Sequence, residues 1–100
     1  MVGRKVANNK NYLRKIDLFV LNRVLTVLYN DGNTRKSILA RNANISYDKC
    51  VRYIAYLKVN GYVEKGRDDD DYEIIRITKL GRDFHEKKLQ YLINENYSLN

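Results

Sequence analysis

Arginine, lysine and hydroxyl-bearing residues recur at short intervals through the middle of this 100-residue chain: Arg35, Lys36, Arg41, Ser46, Tyr47, Lys49, Arg52 and Tyr56, with Arg67 farther on. Guanidinium and ammonium groups neutralise phosphate, and the arginine fork also matches two acceptors at once. Serine and tyrosine hydroxyls add hydrogen bonds to the same kind of partner. The chemistry on offer is the binding of an anion. Bond-making chemistry has little material. His85 is the only histidine and lies far in sequence from Cys50, the only cysteine, which is predicted to be buried and inert. There is no glycine-rich phosphate loop, no Cys or His pair at zinc spacing, and no Ser/His/Asp set with a supporting frame. The chain is expected to be no enzyme and to use no cofactor or metal.

The charge balance agrees with an anionic partner. Nineteen Lys and Arg against twelve Asp and Glu leave a net charge of +7, with nucleic acid the first candidate and a membrane surface the second. The surplus is uneven: residues 1–60 hold twelve basic and three acidic side chains, a balance of +9, and residues 61–100 hold seven and nine, a balance of −2. A chain that is 44% hydrophobic and 31% charged reads as globular, and its length allows one domain with a modest core. One cysteine excludes an internal disulfide framework and points to a reducing, intracellular setting. The longest apolar stretch, Ile16 to Tyr29, is cut by Asn22 and Arg23, so no membrane span is expected, and the N-terminus lacks a signal-peptide core.

Met1 to Asn11 is basic (Arg4, Lys5, Lys10) without apolar periodicity and reads as a flexible arm or an inert tail. Tyr12 to Asn30 has the spacing of a long helix, with Leu13, Ile16, Val20, Val24, Val27 and Leu28 on one stripe. Leu18, Phe19, Leu21 and Leu25 widen that stripe, so the helix must be covered on two sides, by another long helix or another subunit. Asp31-Gly32-Asn33 stops it. Thr34 is the expected N-cap of a second helix with Ile38, Leu39 and Ala43 inward. After a break at Asn42–Asn44, Ile45 plugs the turn and Ser46 caps a third helix, Tyr47 to Asn60, that ends at Gly61. The period then falls to two: Tyr62–Lys65 and Tyr72–Ile77 read as strands around a Gly66–Asp71 hairpin loop. Thr78 caps a last helix running towards Tyr97, with Leu80, Phe84, Leu89, Leu92 and Ile93 apolar.

Two short helices joined by a tight turn form a helix-turn-helix, whose second helix can enter a DNA major groove, and a hairpin directly after it is a wing. The passages "TRKSILARNANISYDKCVRYIAYLKVNGYVEKG" and "YEIIRITKLGRDF" resemble the winged helix-turn-helix family, in particular small archaeal DNA-binding proteins and transcriptional regulators. The L-x-x-x-G-Y-V passage (Leu57, Gly61, Tyr62, Val63) and the I-T-x-x-G passage (Ile77, Thr78, Gly81) carry the likeness. It implies an α+β fold: a three-helix head over 12–77 with a two-stranded wing, then a C-terminal helix over 78–100.

On the third helix, a step of about 100° per residue puts Cys50, Ile54 and Leu57 towards the core and Asp48, Arg52, Ala55 and Val59 opposite, with Lys49 and Tyr56 on a flank. Arg52 is the candidate reader of guanine O6 and N7. Ser46 and Lys49 suit phosphates or bases, while Tyr47 and Tyr56 suit phosphates, sugars or thymine methyls. Arg35, Lys36 and Arg41 are candidates for phosphate contacts, because the second helix crosses the backbone in this geometry. Against this, the charges can be ordinary solvated ones and the tyrosines packing.

The wing departs from the family pattern. Lys65 and Arg67 precede four aspartates, Asp68 to Asp71, which oppose phosphate. Either the tip points away from DNA with Arg67 alone reaching in, or the acidic run is a solvated loop, a partner-binding or autoinhibitory element, or a cation site. The last helix, ~30 Å for about 20 residues, exceeds what the head covers. Leu80 and Phe84 are expected on the head. Leu89, Leu92 and Ile93 need the first helix of the same chain or a second subunit. Similar archaeal proteins dimerise through such a helix, which suits a palindromic site. The expectation is a homodimer on double-stranded DNA, joined through the first and last helices, regulating transcription in the cytoplasm at the nucleoid. A chromatin-type coat of low specificity and a protein-interaction module using the acidic wing are the alternatives.

Overall fold

The carboxylate of Asp17 accepts hydrogen bonds from the amides of Phe19 at 2.7 Å and Val20 at 3.2 Å, and this cap starts helix α1, Leu18–Asp31. A computed structural model describes residues 16–97, with side chains to residue 95. The basic arm 1–11 and the expected helical start at Tyr12 lie outside these residues. Within them the helix begins at Leu18 because the Asp17 backbone is extended and its side chain satisfies the first free amides. The α1 stop is as expected: Gly32, at φ +83°, returns its amide to Leu28 at 2.8 Å.

Thr34 is not a helix cap. It is buried in a two-residue strand, β1, Asn33–Thr34, which the apolar pattern was too short to reveal. The second helix, α2, Lys36–Ala43, starts after Arg35 with no side-chain cap. Leu39, Ala40 and Ala43 are its buried positions, while Ile38 is half-buried. Asn44 takes the left-handed conformation at φ 59° and its amide bonds Arg41 at 3.1 Å, making the tight turn. Helix α3, Tyr47–Val59, follows, with the Ser46 hydroxyl accepting from the Lys49 amide at 3.1 Å.

Strands β2, Val63–Arg67, and β3, Glu73–Ile77, form the wing, and β1 adds to β3 to give an antiparallel sheet of order β1-β3-β2. The wing is therefore longer than expected: Gly66 and Arg67 are strand residues and the turn begins at Asp68. Gly66 pairs with Ile74, and the Arg76 guanidinium lies where a Cβ at 66 would stand.

Thr78 and Gly81 fasten the last helix. The Thr78 hydroxyl donates to the Gly61 carbonyl at 2.7 Å and accepts from the Gly81 amide at 3.0 Å, while its own amide donates to the Tyr62 carbonyl at 3.0 Å. Gly81 presses against that same carbonyl so closely that any side chain would collide with it. Helix α4, Lys79–Asp83, thus turns Gly81 and Phe84 inward, and Phe84 stacks on Tyr62 with centroids 4.2 Å apart. Leu80, expected on the head, is instead 55% exposed, one helical step away from the inward side. The helix then widens to a π turn over Phe84–Leu89 and resumes as α5, Gln90–Tyr97. A π turn aligns residues five apart. It brings Leu89 in behind Phe84, and Ile93 follows one α turn later. Both are buried with Leu21, Leu25 and Leu28 of α1 in one core. The buried stripe of α1 packs within one chain against α2, α3, the π turn and α5, while Phe19 and Tyr29 of the same helix stay exposed.

Candidate nucleic-acid interface

Cys50, Tyr53, Ile54 and Leu57 anchor α3 in the core, each at most 3% exposed. Burial pushes the Cys50 thiol up to about 11, so it stays protonated and unreactive, and its Sγ is 3.8 Å from the Lys36 carbonyl. Tyr53, absent from the predicted inward set, accepts the Asp17 amide on its hydroxyl at 2.7 Å and so ties α3 to the start of α1. A tyrosine beside the Cys50–Ile54–Leu57 sector on the helical wheel was the available signal.

With that side buried, α3 turns Tyr47, Asp48, Val51, Arg52, Ala55, Lys58 and Val59 to solvent. Arg52 stands at the middle of this face. Lys49 is half-buried on its flank, and Tyr56 is half-buried with its phenol pKa raised by burial. Tyr56 packs against the core rather than standing clear of it. Ser46 spends its hydroxyl lone pair on the helix cap. Arg41 is exposed on the last turn of α2. Among the described residues, Arg41, Lys49 and Arg52 take part in no ion pair.

Arg35 and Lys36 are differently placed. Arg35 donates from Nε and Nη2 to Asp68 at 3.0 and 2.9 Å, approaches Asp70 at 3.9 Å, and lies over the Tyr72 ring. Lys36 pairs with Glu73 at 3.1 Å, and Lys65 joins the same carboxylate at 3.5 Å. Asp68 also accepts the amides of Tyr72 at 2.9 Å and Asp70 at 3.0 Å, so its side chain builds the wing turn. These backbone bonds, Tyr72 first, and the Arg35 guanidinium hold the Asp68 carboxyl below the usual carboxylate range. Glu73 is lowered chiefly by Lys36. Lys58 is lowered by Lys65 beside it, a crowding of cations where the end of α3 meets the wing. Arg67 stays in the wing, donating to the Asp71 carbonyl at 3.1 Å.

The acidic run is thus neither a uniform loop nor a cluster. Asp68 faces the base of α2, while Asp69, Asp70 and Asp71 are exposed. No group of three metal-ligating side chains gathers among the described residues. Where α2, α3 and the wing meet, an open cleft of about 240 Å³ is lined by Arg35, Lys36, Ser37, Tyr47, Tyr72 and Glu73. Tyr72 and Glu73 were missed by sequence reasoning. Strand alternation placed Glu73 on one face with Lys65 across the hairpin, but the reach to Lys36 crosses 37 positions of chain. Arg23 was missed too: it donates to the Ala43 carbonyl at 3.0 Å and the Asn44 carbonyl at 3.4 Å, holding the tight turn against α1.

The family model for winged helix-turn-helix proteins matches residues 14–96. No curated protein matches the chain. Among solved structures, BldR, a transcriptional regulator of Sulfolobus solfataricus, is similar with a TM-score of 0.63 and 22% identity over 82% of this chain and 62% of its own. PcaV, a transcriptional regulator of Streptomyces coelicolor, gives a TM-score of 0.63 at 15% identity, covering 79% and 62%. BpsR of Bordetella bronchiseptica, whose DNA binding is regulated by 6-hydroxynicotinic acid, gives 0.64 at 17% identity, covering 100% and 83%. At such identities the likeness is one of fold, and this chain spans less than two thirds of the length of BldR and PcaV.

Proposed function

The chain belongs to the winged helix-turn-helix family, and from that premise we propose that it binds double-stranded DNA as a homodimer and regulates transcription. The observation that carries this reading is the outward face of α3, where Arg52 stands exposed and, like Arg41 on α2 and Lys49 on α3, takes part in no ion pair among the described residues. In the proposed complex α3 enters the major groove, Arg52 takes a guanine edge, and Arg41 and Lys49 hold phosphates. Arg35 and Lys36, held by Asp68 and Glu73, set the wing against α2, and Arg67 reaches in from the wing. The dimer uses the outer sides of α1 and α5, where Tyr91 is 62% exposed, and presents two copies of α3 to a palindrome. Among the described residues no helix is long and apolar enough to cross a membrane. A cytoplasmic, nucleoid-associated place belongs to the same proposal.

Selection of duplexes from a random library by the full chain tests it. Enrichment of a palindrome with half-sites about one helical turn apart supports a dimeric regulator. Retention of DNA without an enriched sequence overturns regulation in favour of a chromatin-type coat. Retention of no DNA overturns both.

A further inference from the structure

The solvent face of α3 is divided into two parallel ridges. Positions four apart lie side by side on a helix. Asp48 and Arg52 form a charged ridge. Beside it, Tyr47, Val51, Ala55 and Val59 form an apolar one. Tyr47 is 51%, Val51 37% and Val59 86% exposed. Nothing in the fold needs this ridge, because Cys50, Tyr53, Ile54 and Leu57 already bury the opposite side. A single exposed valine is ordinary, but a continuous apolar row on a helix whose other outward positions are charged calls for an occupant.

The charge around the row selects that occupant. Between residues 35 and 60 there are six Lys and Arg and one acid, Asp48. The flanking cations match the phosphate walls of the major groove, which also carries an apolar group on its floor. That group is the C5 methyl of thymine, which alanine, threonine and phenylalanine side chains contact in readout. Steps of four residues rise ~6 Å along a helix, close to two base-pair rises of 3.4 Å. We infer that the Tyr47–Val51–Ala55–Val59 ridge reads thymine methyls, so that this protein selects duplexes carrying thymines spaced beside the base pair taken by Arg52. The inference rests on the proposed insertion of α3 into the major groove and adds the base chemistry it reads.

The test removes only the methyl. The duplex best retained in the random selection is resynthesised with one thymine at a time replaced by deoxyuridine, and binding of the full chain is measured by fluorescence anisotropy. Affinity falls about fourfold per contacted methyl, the value of one buried methyl-sized group at ~1.4 kcal/mol per tenfold. Val51→Ser or Val59→Ser binds the thymine and uracil forms equally at one of those positions. Both variants sit on exposed positions, and circular dichroism checks their folding. Wild-type binding indifferent to every replacement overturns the inference while leaving DNA binding intact, as does full methyl sensitivity in both variants. Failure to bind any duplex overturns the proposed function and this inference together.

Discussion

Arg35 and Asp68, 33 positions apart, are joined by two hydrogen bonds from one guanidinium to one carboxylate oxygen, at 3.0 and 2.9 Å, under the stacked ring of Tyr72. The pair docks the wing on the start of α2. It also places an acidic group on an arginine that the sequence offered to phosphate.

Replacement of that acid has a defined sign. Asp68→Asn keeps an oxygen to accept the Tyr72 and Asp70 amides but removes the charge facing Arg35. DNA affinity is expected to rise several-fold, and the slope of log affinity against log salt to steepen by about one as Arg35 engages a phosphate. Anisotropy titrations between 50 and 200 mM salt measure both. Unchanged affinity and slope would show that Arg35 meets no phosphate even when the Asp68 charge no longer holds it.

Arg52 and Arg41 separate reading from gripping. Arg52→Ala should lose ~1–3 kcal/mol on the selected duplex and relax the preference at one guanine. Arg41→Ala should weaken selected and scrambled duplexes alike and lower the salt slope by about one. Competition with scrambled duplex distinguishes them. Equal losses on both duplexes for Arg52→Ala would remove it as a base reader.

Gly81 has no room for a side chain against the Tyr62 carbonyl. Gly81→Ala should destabilise the fold by ~1–3 kcal/mol through overpacking against backbone, and Thr78→Ala by ~1 kcal/mol through loss of the cap. Urea unfolding followed by circular dichroism gives both values. A neutral Gly81→Ala would mean that α4 shifts freely against the head.

His85 makes the junction of α1 with the π turn sensitive to mild acid. Its Nε2 is 3.0 Å from the Thr26 hydroxyl, its ring sits beside Tyr29, and its buried Nδ1 has no hydrogen-bond partner among the described residues. Burial lowers its pKa below the ordinary value of 6.5, against a smaller opposing pull from Glu86, which Tyr29 hydrogen-bonds. The unfolded chain therefore takes up the proton first. Stability is full above pH 6.5 and is lost as pH falls from there through the lower folded-state value. The lowered carboxyls of Asp68 and Glu73 act in a separate, more acidic window, below their ordinary values of 3.8 and 4.5. Melting temperature recorded from pH 8 to 5 should fall for the wild type and stay flat for His85→Gln. Parallel curves would assign the acid sensitivity elsewhere.

Local rules made much of the fold legible. Ser46 and Thr78 cap the helices expected of them, and Gly32 stops α1, because a cap or a stop is a contact within four residues. The same locality explains Cys50, Ile54 and Leu57 facing the core. The misses are long-range. Thr34 looked like a cap, but the sheet claims it through pairing with Ile75, 41 positions on. Leu80 matched the apolar spacing, but Gly81 against Tyr62 sets which side of α4 turns inward.

The candidate site divides in the same way. Composition shows which residues are cationic and that they concentrate before Gly61, and helical periodicity turns Arg52 outward, since it orients a side chain on its own helix. That Arg35 and Lys36 face Asp68 and Glu73, while Arg41, Lys49 and Arg52 take part in no ion pair among the described residues, follows from how the elements pack. The physical reason is that the partners of Arg35 and Lys36 lie on a hairpin whose approach to α2 is fixed by sheet pairing and by the buried core beneath, and by no spacing along the chain.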